Sequence, residues 1–314
     1  GTFVDCTFGG GGYSKAILKY PKTKVLALDR DKLVKKYAMS LEKKYPNRFN
    51  FFQNKFSELD KIIKADEAPK SIIFDLGLSS FQLNDKDRGF SFNSKDSVNM
   101  EMGINKYNAY DVINKFDKKD LAKIIKIFGE DKDGSKIANK INQYRNKKTI
   151  NTSEELASII NEAKKNYNVY KKNPATKTFQ AIRIFVNQEL TELIIGLILA
   201  SQILPSNGTL VVISFHSLED KIVKYFFNLY SDLNKNPSRY LPLKKKKNGL
   251  FKMQSKKPLV PSSKEIEENK KSRSAKLRYA IRNKNSFLNF EEFKKNYKSY
   301  FEMGEIRLWL LILI

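Results

Sequence analysis

The chain has 314 residues and a formal net charge of +25, because its 59 lysines and arginines outnumber its 34 acidic residues. An apolar content of 41%, with 22 Phe and 15 Tyr, suffices to build a core and argues against wholesale disorder. One cysteine excludes an internal disulfide, and one His with one Cys excludes a structural zinc site. The charge favours a polyanionic partner, which means RNA, DNA or an acidic membrane surface.

The sequence contains no segment typical of a membrane span. Its longest apolar run, residues 308–314, has seven residues, whereas a spanning helix needs ~20. The chain begins at Gly1 rather than Met, which leaves the true N-terminus open, and no cationic segment precedes an apolar one. We therefore expect no signal peptide, no membrane partner and a cytoplasmic location.

Strands and helices alternate along the first hundred residues. Short apolar runs predict four strands, at residues 2–5, 24–29, 49–53 and 71–75. Helical patterns separate them, at residues 13–19 and about 31–44. This alternation predicts parallel βαβ units and a doubly wound α/β sheet. Three of the strands end in an acid, namely Asp5, Asp29 and Asp75, and the carboxyl ends of parallel strands are where such sheets bind ligands.

Helical periodicity replaces the alternation after residue 104. We predict helices at residues 117–128, 135–145 and 153–167, with Thr152 or Ser153 as the cap of the third. One long amphipathic helix is expected over residues 178–202, followed by a fifth strand (209–214), a helix (218–230) and a late strand (275–282). The predicted domains are a discontinuous core (1–104 and 174–284), an inserted helical subdomain (105–173) and a C-terminal extension of unknown role (285–314).

A glycine run follows the first strand, in the order Asp5-Cys6-Thr7-Phe8-Gly9-Gly10-Gly11-Gly12. Glycines between a strand and a helix let the backbone approach a ligand closely. No Gly-Lys-Ser/Thr follows, which argues against a nucleoside-triphosphate loop. Asp29 lies 18 residues after Gly11, at the end of the next strand, and is placed to accept the ribose hydroxyls of an adenosine cofactor.

Two cofactors fit this arrangement, NAD and S-adenosylmethionine (SAM). The order Asp-x-x-x-Gly-x-Gly departs from the dinucleotide fingerprint Gly-x-Gly-x-x-Gly. A carboxylate at Asp5 would repel a pyrophosphate but suits the cationic methionine end of SAM. The sequence favours SAM, and the alternative without a ligand is a tight turn with three solvated acids.

Two further segments follow strand ends. A long loop rich in Ser, Asp, Arg and Phe comes after Asp75, and long polar loops in that place usually carry function. The only histidine, His216, follows the fifth strand at the same sheet edge, although a lone histidine is more often structural than catalytic. Ser217 is the predicted cap of the next helix, with Asp220 at its third position.

Six motifs follow one another over about residues 1–282: Asp5-x-Thr-Phe-Gly-x-Gly-Gly, Asp75-Leu-Gly-x-Ser-Ser-x-Gln-Leu, Arg88-Gly-Phe-Ser-Phe, Asn173-Pro-Ala-Thr-x-Thr-Phe-Gln-Ala-x-Arg-Ile, Ser214-Phe-His-Ser-Leu-Glu-Asp and Arg273-Ser-Ala-Lys-Leu-Arg. Together they resemble the bacterial SAM-dependent 16S ribosomal RNA (cytosine-N4) methyltransferase family. The resemblance implies a class I (Rossmann-like) methyltransferase sheet with a helical substrate-recognition insertion. It also implies methylation of a cytosine in the decoding region, with the small ribosomal subunit and its 16S rRNA as partner.

The resemblance also implies the residues that contact SAM. The set carried over by motif is Gly11, Gly12, Tyr13, Asp29, Phe56, Asp75 and Gln82. The family usually has His where Tyr13 stands, and Asp and Arg where this chain has Asn99 and Glu101. The segment that precedes the family's first strand is absent here.

Our hypothesis for catalysis follows from the weak nucleophilicity of cytosine N4. Asp75, Ser79 and Ser80 would receive the amine, and His216 would polarise the base or accept its proton. The base must leave its stack to reach the methyl group, and Phe81, Phe90 or Phe92 could stack on it, although core packing is an equal alternative. No metal is expected.

The basic segment from residue 235 to 284 has 17 cationic and 3 acidic residues, a net charge of +14. We expect it to hold RNA phosphates. The candidate contacts are Lys244, Lys245, Lys246, Lys247, Arg273, Lys276 and Arg278.

Three other functions remain open from the sequence: a methyltransferase for another RNA or DNA, a non-catalytic rRNA-binding assembly factor, and a nicotinamide dehydrogenase. The sequence also leaves the oligomeric state open, with a homodimer compatible with it.

Overall fold

The computed structural model describes residues 1–105, 107–164, 173–232, 249–285 and 289–304, with Ala65 and Ser80 described by their backbone alone. Its strands form one seven-stranded sheet in the order β3-β2-β1-β4-β5-β7-β6. The strands are β1 (Thr2–Asp5), β2 (Lys24–Leu28), β3 (Phe49–Phe52), β4 (Ser71–Asp75), β5 (Thr209–Ser214), β6 (Phe251–Lys252) and β7 (Lys276–Arg282). The five predicted early strands and the late strand are confirmed to within two residues.

The pairing of the strands decides which residues share a sheet edge. The strands β1 to β5 are parallel, with Asp5 opposite Ala27 and Ile73, and Asp75 opposite Ile213. The strand β7 runs antiparallel to β5. The carboxyl ends of β1, β2, β4 and β5 therefore meet at one edge, as the sequence predicts for a doubly wound sheet.

Thirteen α-helices are described in these residues. They are α1 (Gly12–Leu18), α2 (Lys35–Lys44), α3 (Leu59–Ile62), α4 (Ser80–Asn84), α5 (Ala109–Lys115), α6 (Lys118–Gly129), α7 (Gly134–Arg145), α8 (Ser153–Ala163), α9 (Thr176–Asn187), α10 (Glu189–Ile203), α11 (Ser217–Tyr230), α12 (Ser263–Glu268) and α13 (Glu291–Asn296). Thr152 caps α8 and forms a capping box with Glu155, so the first of the two predicted caps is the one used.

The chain divides into two compact units. The first comprises Gly1–Gly77 and Leu190–Lys298 and contains the whole sheet. The second comprises Leu78–Glu189 and the residues from Ser299 onward, and it is helical, with α6 packed against both α7 and α9. The domain boundaries given above stay a prediction.

The prediction of a single long helix over residues 178–202 is wrong. The helix α9 ends at Asn187, and Gln188 adopts a left-handed conformation with φ of 53° before α10 begins. No glycine or proline marks this position, and apolar residues continue on both sides. Among the described residues no single helix is long and apolar enough to cross a membrane. Only α9 and α10 taken together, as a bent pair, have the length and composition of such a span.

Apolar packing on the sheet fixes the first unit. The helices α1 and α2 cover the β1–β3 end through a buried cluster that comprises Phe8, Leu18, Val25, Ala27, Val34, Ala38, Leu41 and Phe49. In α10, Gly196 allows close approach to the sheet, because a Cβ there would lie 2.9 Å from the Cβ of Phe56 and 3.1 Å from the ring of Phe74. The strand ends are thus held by a dense core.

Part of the C-terminal extension belongs to this core. Phe293 of α13 is fully buried, with its ring centroid 5.1 Å from that of Phe226 and 5.5 Å from that of Tyr297. The hydroxyl of Tyr230 donates to the carbonyl of Asn289 at 3.2 Å. The extension therefore packs on α11, whose first turn follows His216.

Replacing Phe293 with Ala should lower the free energy of unfolding by about 3–5 kcal/mol, because it removes a buried ring and leaves a cavity. Denaturant unfolding measures this difference. The control is Lys294→Ala on the same helix, whose side chain is 48% exposed. We expect the control to change stability by less than about 0.5 kcal/mol. Equal small effects in both variants would contradict a structural role for α13.

Candidate active site

Asp5 ends β1 as a fully buried carboxylate. Its Oδ2 accepts a hydrogen bond from the hydroxyl of Ser14 at 2.7 Å, and its Oδ1 accepts one from the amide of Thr7 at 3.3 Å. Burial raises the pKa of Asp5, and these hydrogen bonds oppose the rise. The carboxylate ties the first turn of α1 to the end of the strand.

Two glycines of the loop, Gly11 and Gly12, have different surroundings. Gly11 has φ of 75°, and a Cβ there would lie 2.9 Å from the ring of Phe8. Only glycine satisfies both conditions without strain. A Cβ at Gly12 would meet nothing within 4 Å, so the space beside the first helical residue is open to a ligand.

Asp29 follows β2 and holds the loop from the other side. Its Oδ2 accepts from the amide of Gly9 and its Oδ1 from the amide of Asp31, both at 2.8 Å. Burial raises its pKa to about 6 against the lowering effect of these bonds. Each carboxylate oxygen keeps acceptor capacity beyond one amide, so ribose binding by Asp29 stays a prediction that this geometry permits.

Asp75 ends β4 with a carboxylate that lacks a complete set of partners. Its amide donates to Thr7 Oγ1 at 2.7 Å, whereas its Oδ1 is buried with no hydrogen-bond partner among the described residues. Burial raises the pKa of Asp75 to about 7, with further contributions from the charges of Asp5 and Glu219. A buried acceptor without a donor is suited to an amino group or cation of a ligand.

Tyr13 lies close to these acids. Its side chain is 39% exposed, and burial together with the charges of Asp75, Asp5 and Glu265 raises the pKa of its phenol to about 12. The phenol therefore keeps its proton at neutral pH and can donate a hydrogen bond.

The cap of α11 differs from the prediction. His216, not Ser217, is the capping residue, and Glu219, not Asp220, completes the capping box. The chain stays extended through His216, with φ of −138° and ψ of 166°, so the helix begins one residue earlier than a serine cap would require. Asp220 instead accepts from Arg278 at 2.8 Å and from Lys276 at 2.9 Å.

Phe56 begins a short 3-10 turn after β3 and is half-buried. Its ring packs edge-on against Phe74, with centroids 5.1 Å apart. Buried Glu192 of α10 fixes the turn by accepting from the amide of Ser57 at 3.0 Å and from its hydroxyl at 3.2 Å. The sequence analysis missed Glu192, which only helical spacing on α10 could have indicated.

In the second unit, Ser79 caps α4, and Ser80 is the first residue of that helix. The amide of Ser79 donates to Gln82 Oε1 at 2.9 Å, and the amide of Gln82 donates to Ser79 Oγ at 3.2 Å. The side chains of Ser79 and Gln82 thus stabilise the helix start. Their contacts to the amine and to SAM stay predictions.

The three Phe candidates for stacking differ in exposure. Phe81 is 45% exposed. Phe90 is buried, and Phe92 packs edge-on against Phe179 at 4.8 Å. Phe81 is therefore the most exposed of the three.

The predicted phosphate contacts are not equivalent. The residues Lys244 to Lys247 lie outside the described part of the chain. Arg273 is exposed, and Lys276 is 43% exposed at its side chain while paired with Asp220. Arg278 is 5% exposed, and its guanidinium binds Asp220 and the carbonyl of Lys256, which gives it a structural role. We therefore leave Arg278 out of the RNA contacts proposed below.

A parallel sheet with one late antiparallel strand, a glycine loop after β1 and carboxylates at its strand ends define a Rossmann-like, class I methyltransferase, as the resemblance implies. The model of the MraW methylase family matches residues 1–283. The chain belongs to this family.

Curated relatives cover most of the chain. A protein of Orientia tsutsugamushi (strain Ikeda) is 43% identical over 286 residues, which cover 90% of this chain and 92% of that protein. Proteins of Ehrlichia canis (strain Jake) and Sulfurihydrogenibium sp. (strain YO3AOP1) are each 42% identical and cover 89% of this chain. All three are named ribosomal RNA small subunit methyltransferase H.

A crystal structure of an rRNA methylase candidate from Clostridium thermocellum covers 90% of this chain and 88% of its own, with a TM-score of 0.38 and 12% identity. This similarity is too low to support a conclusion.

The family's methyl donor is SAM, and the residues present fit it. The open space beside Gly12 and the unpartnered Oδ1 of Asp75 leave room and an acceptor for the charged methionine end. The alternative that the protein is a nicotinamide dehydrogenase has no support from the family.

Asp75→Asn should flatten the dependence of stability on pH. The raised pKa of Asp75 means that its carboxyl binds a proton more tightly in the folded state than in the unfolded state. The stabilisation that the protonated carboxyl of Asp75 gives to the folded state is therefore fully present below about pH 4, and it is lost as the pH rises through about 7. Denaturant unfolding between pH 4 and 8 should show the wild type losing up to about 4 kcal/mol relative to the variant, at about 1.4 kcal/mol per pKa unit. Parallel pH curves for the two proteins would contradict the buried, unpaired carboxylate.

Proposed function

We propose that the protein transfers a methyl group from SAM to N4 of a cytosine in the decoding region of small-subunit (16S) ribosomal RNA. The observation that carries the proposal is the carboxylate of Asp75 at the end of β4, whose Oδ1 is buried with no hydrogen-bond partner among the described residues. The relatives' shared name supports a small-subunit rRNA substrate. The small ribosomal subunit is the proposed partner, and the cytoplasm is the proposed compartment.

The cofactor would be held along the sheet edge. Gly11 and Gly12 would contact it through their backbone, and Tyr13 could donate from its phenol. Asp29 would accept from the ribose, and Phe56 would lie beside the adenine. Asp75, with Gln82 of α4, would complete the set. SAM supplies an electrophilic methyl group on a sulfonium, so the protein's main task is to orient the nucleophile in line with it.

The amino group of cytosine is a poor nucleophile because its lone pair is delocalised into the ring. An acceptor on its hydrogens orients the amine and favours the movement of charge toward N4. Asp75 is suited to this, because a carboxyl with a pKa of about 7 can take up a proton near neutral pH. Ser79 and Ser80, which follow it in the chain, are the further candidates.

His216 supplies the second candidate group. Its Nδ1 accepts from the amide of Glu219, which leaves the proton of a neutral ring on Nε2. The ring is thereby oriented at the end of β5, at the same sheet edge as Asp75. In this orientation the Nε2–H of His216 can donate to the base and polarise it, whereas taking up the proton released from N4 would require Nε2 to be unprotonated.

Methyl transfer to small ribosomal subunits that lack the modification tests the function. With labelled SAM and digestion to nucleosides, we expect label in N4-methylcytidine. Label in another nucleoside, or none while SAM binding is intact, would favour another nucleic acid or a non-catalytic assembly role.

The same assay tests His216. His216→Ala should lower turnover by about 10²- to 10⁴-fold, the usual contribution of an acid–base group. The alanine also removes a helix cap, so His216→Asn serves as the control, since asparagine caps a helix but cannot transfer a proton at neutral pH. Near wild-type turnover in both variants would remove His216 from the mechanism.

RNA binding should weaken with salt. If ~5 phosphates are engaged, the logarithm of affinity should fall with the logarithm of salt concentration at a slope of about −3.5. Arg273→Gln should reduce the steepness by about 0.7, the contribution of one phosphate contact. The control is Lys43→Gln, an exposed cation on α2 outside the basic segment, which should leave the slope unchanged. A flat dependence in the wild type would contradict the basic segment as the RNA contact.

A further inference from the structure

Glu219 is a buried carboxylate that contacts His216 in several ways. It is 2% exposed, in the first turn of α11. Its Oε2 accepts from the amides of Phe215 and His216, at 2.8 and 3.3 Å. Its Oε1 lies 3.1 Å from His216 Nε2, while its own amide donates to His216 Nδ1 at 3.5 Å. Both ring nitrogens of His216 therefore lie close to Glu219, although the buried Nε2 makes no hydrogen bond among the described residues.

The charge of Glu219 also acts on Asp75. It is one of the causes of the raised pKa of that carboxyl, after burial and the charge of Asp5. The other group that faces Asp75 electrostatically among the described residues is the phenol of Tyr13. Removing the charge of Glu219 should thus make Asp75 easier to ionise.

We propose that Glu219 is a positioning residue that sets the tautomer of His216. Its negative charge stabilises the proton on Nε2 of the ring, which is the form that can donate to a base. The inference rests on the proposed function for the roles of His216 and Asp75. It adds a residue that touches neither the cofactor nor the cytosine.

A purely structural role is the competing explanation, because the Glu219 side chain also completes a capping box. The two roles separate in Glu219→Gln. Glutamine keeps a carbonyl oxygen that can accept from Phe215 and His216, as Gln does in capping boxes, but it carries no charge. Glu155→Gln is the matched control, since Glu155 occupies the same position of the capping box of α8.

Nitrogen-15 NMR of histidine-labelled protein reads the tautomer directly. The chain has one histidine, so the imidazole signals belong to His216 without further assignment. In alkaline solution, where the ring is neutral, we expect the Nε2–H form to dominate in the wild type and in Glu155→Gln. In Glu219→Gln we expect a mixture of both tautomers. An unchanged tautomer would overturn the proposal.

Carbon-13 NMR of the Asp75 carboxyl, assigned by its loss in Asp75→Asn, gives a second readout. Its titration should move to lower pH in Glu219→Gln and stay in place in Glu155→Gln. In the methyl-transfer assay the acid limb of the kcat profile should move to lower pH in the same variant. We expect kcat to fall about tenfold or more, with the KM for SAM changed less than about twofold.

The outcomes separate this inference from the proposed function. If the wild type does not methylate small subunits, the proposed function fails, while the two NMR readouts still decide the role of Glu219. If Glu219→Gln does not fold, Glu219→Asp keeps the charge and retracts the carboxylate by one methylene. That variant should disturb the tautomer and leave the Asp75 titration near its wild-type position. A wild-type tautomer in a folded Glu219 variant would overturn the proposal.

Discussion

The burial of carboxylates at one edge of the sheet is the constraint on which the site depends. Asp5, Asp29 and Asp75 lie at or just after the ends of three neighbouring parallel strands, and burial raises the pKa of each. No salt bridge to these three occurs among the described residues, so amides and hydroxyls do the stabilising. Such an arrangement costs folding free energy, and a protein retains it where a ligand supplies the missing cation or donor.

The three acids are satisfied to different degrees, and the differences correspond to different tasks. Asp5 accepts a hydrogen bond from Ser14, and Asp29 accepts one from the amide of Gly9. Both carboxylates therefore stabilise the conformation of the glycine loop. Asp75 keeps an oxygen without a partner among the described residues, and burial raises its pKa to about 7. The strong positive charge of the chain is concentrated away from these acids, largely in the basic segment that follows α11.

The sheet was predictable because buried parallel strands are short apolar runs bounded by turns, and each predicted strand lies within two residues of the observed one. The break at Gln188 was not, since neither glycine nor proline marks it. The cap of α11 was misassigned because serine is the better cap by propensity, whereas here the strand's extended backbone continues through His216. Arg278 was misread because a period of two gives the faces of a strand but does not say which face is covered.

The antiparallel direction of β7 has a consequence for the substrate. Because β7 runs opposite to its neighbour, it begins where β5 ends, with Lys276 opposite Ser214 and Leu277 opposite Ile213. Ile213 is in turn opposite Asp75, so the start of β7 lies two strand spacings, roughly 10 Å, from that carboxylate. A single nucleotide, or two adjacent ones, can span this distance. The start of β7 thus lies beside the acids, which brings the phosphate contact proposed at Lys276 close to the site proposed for the base.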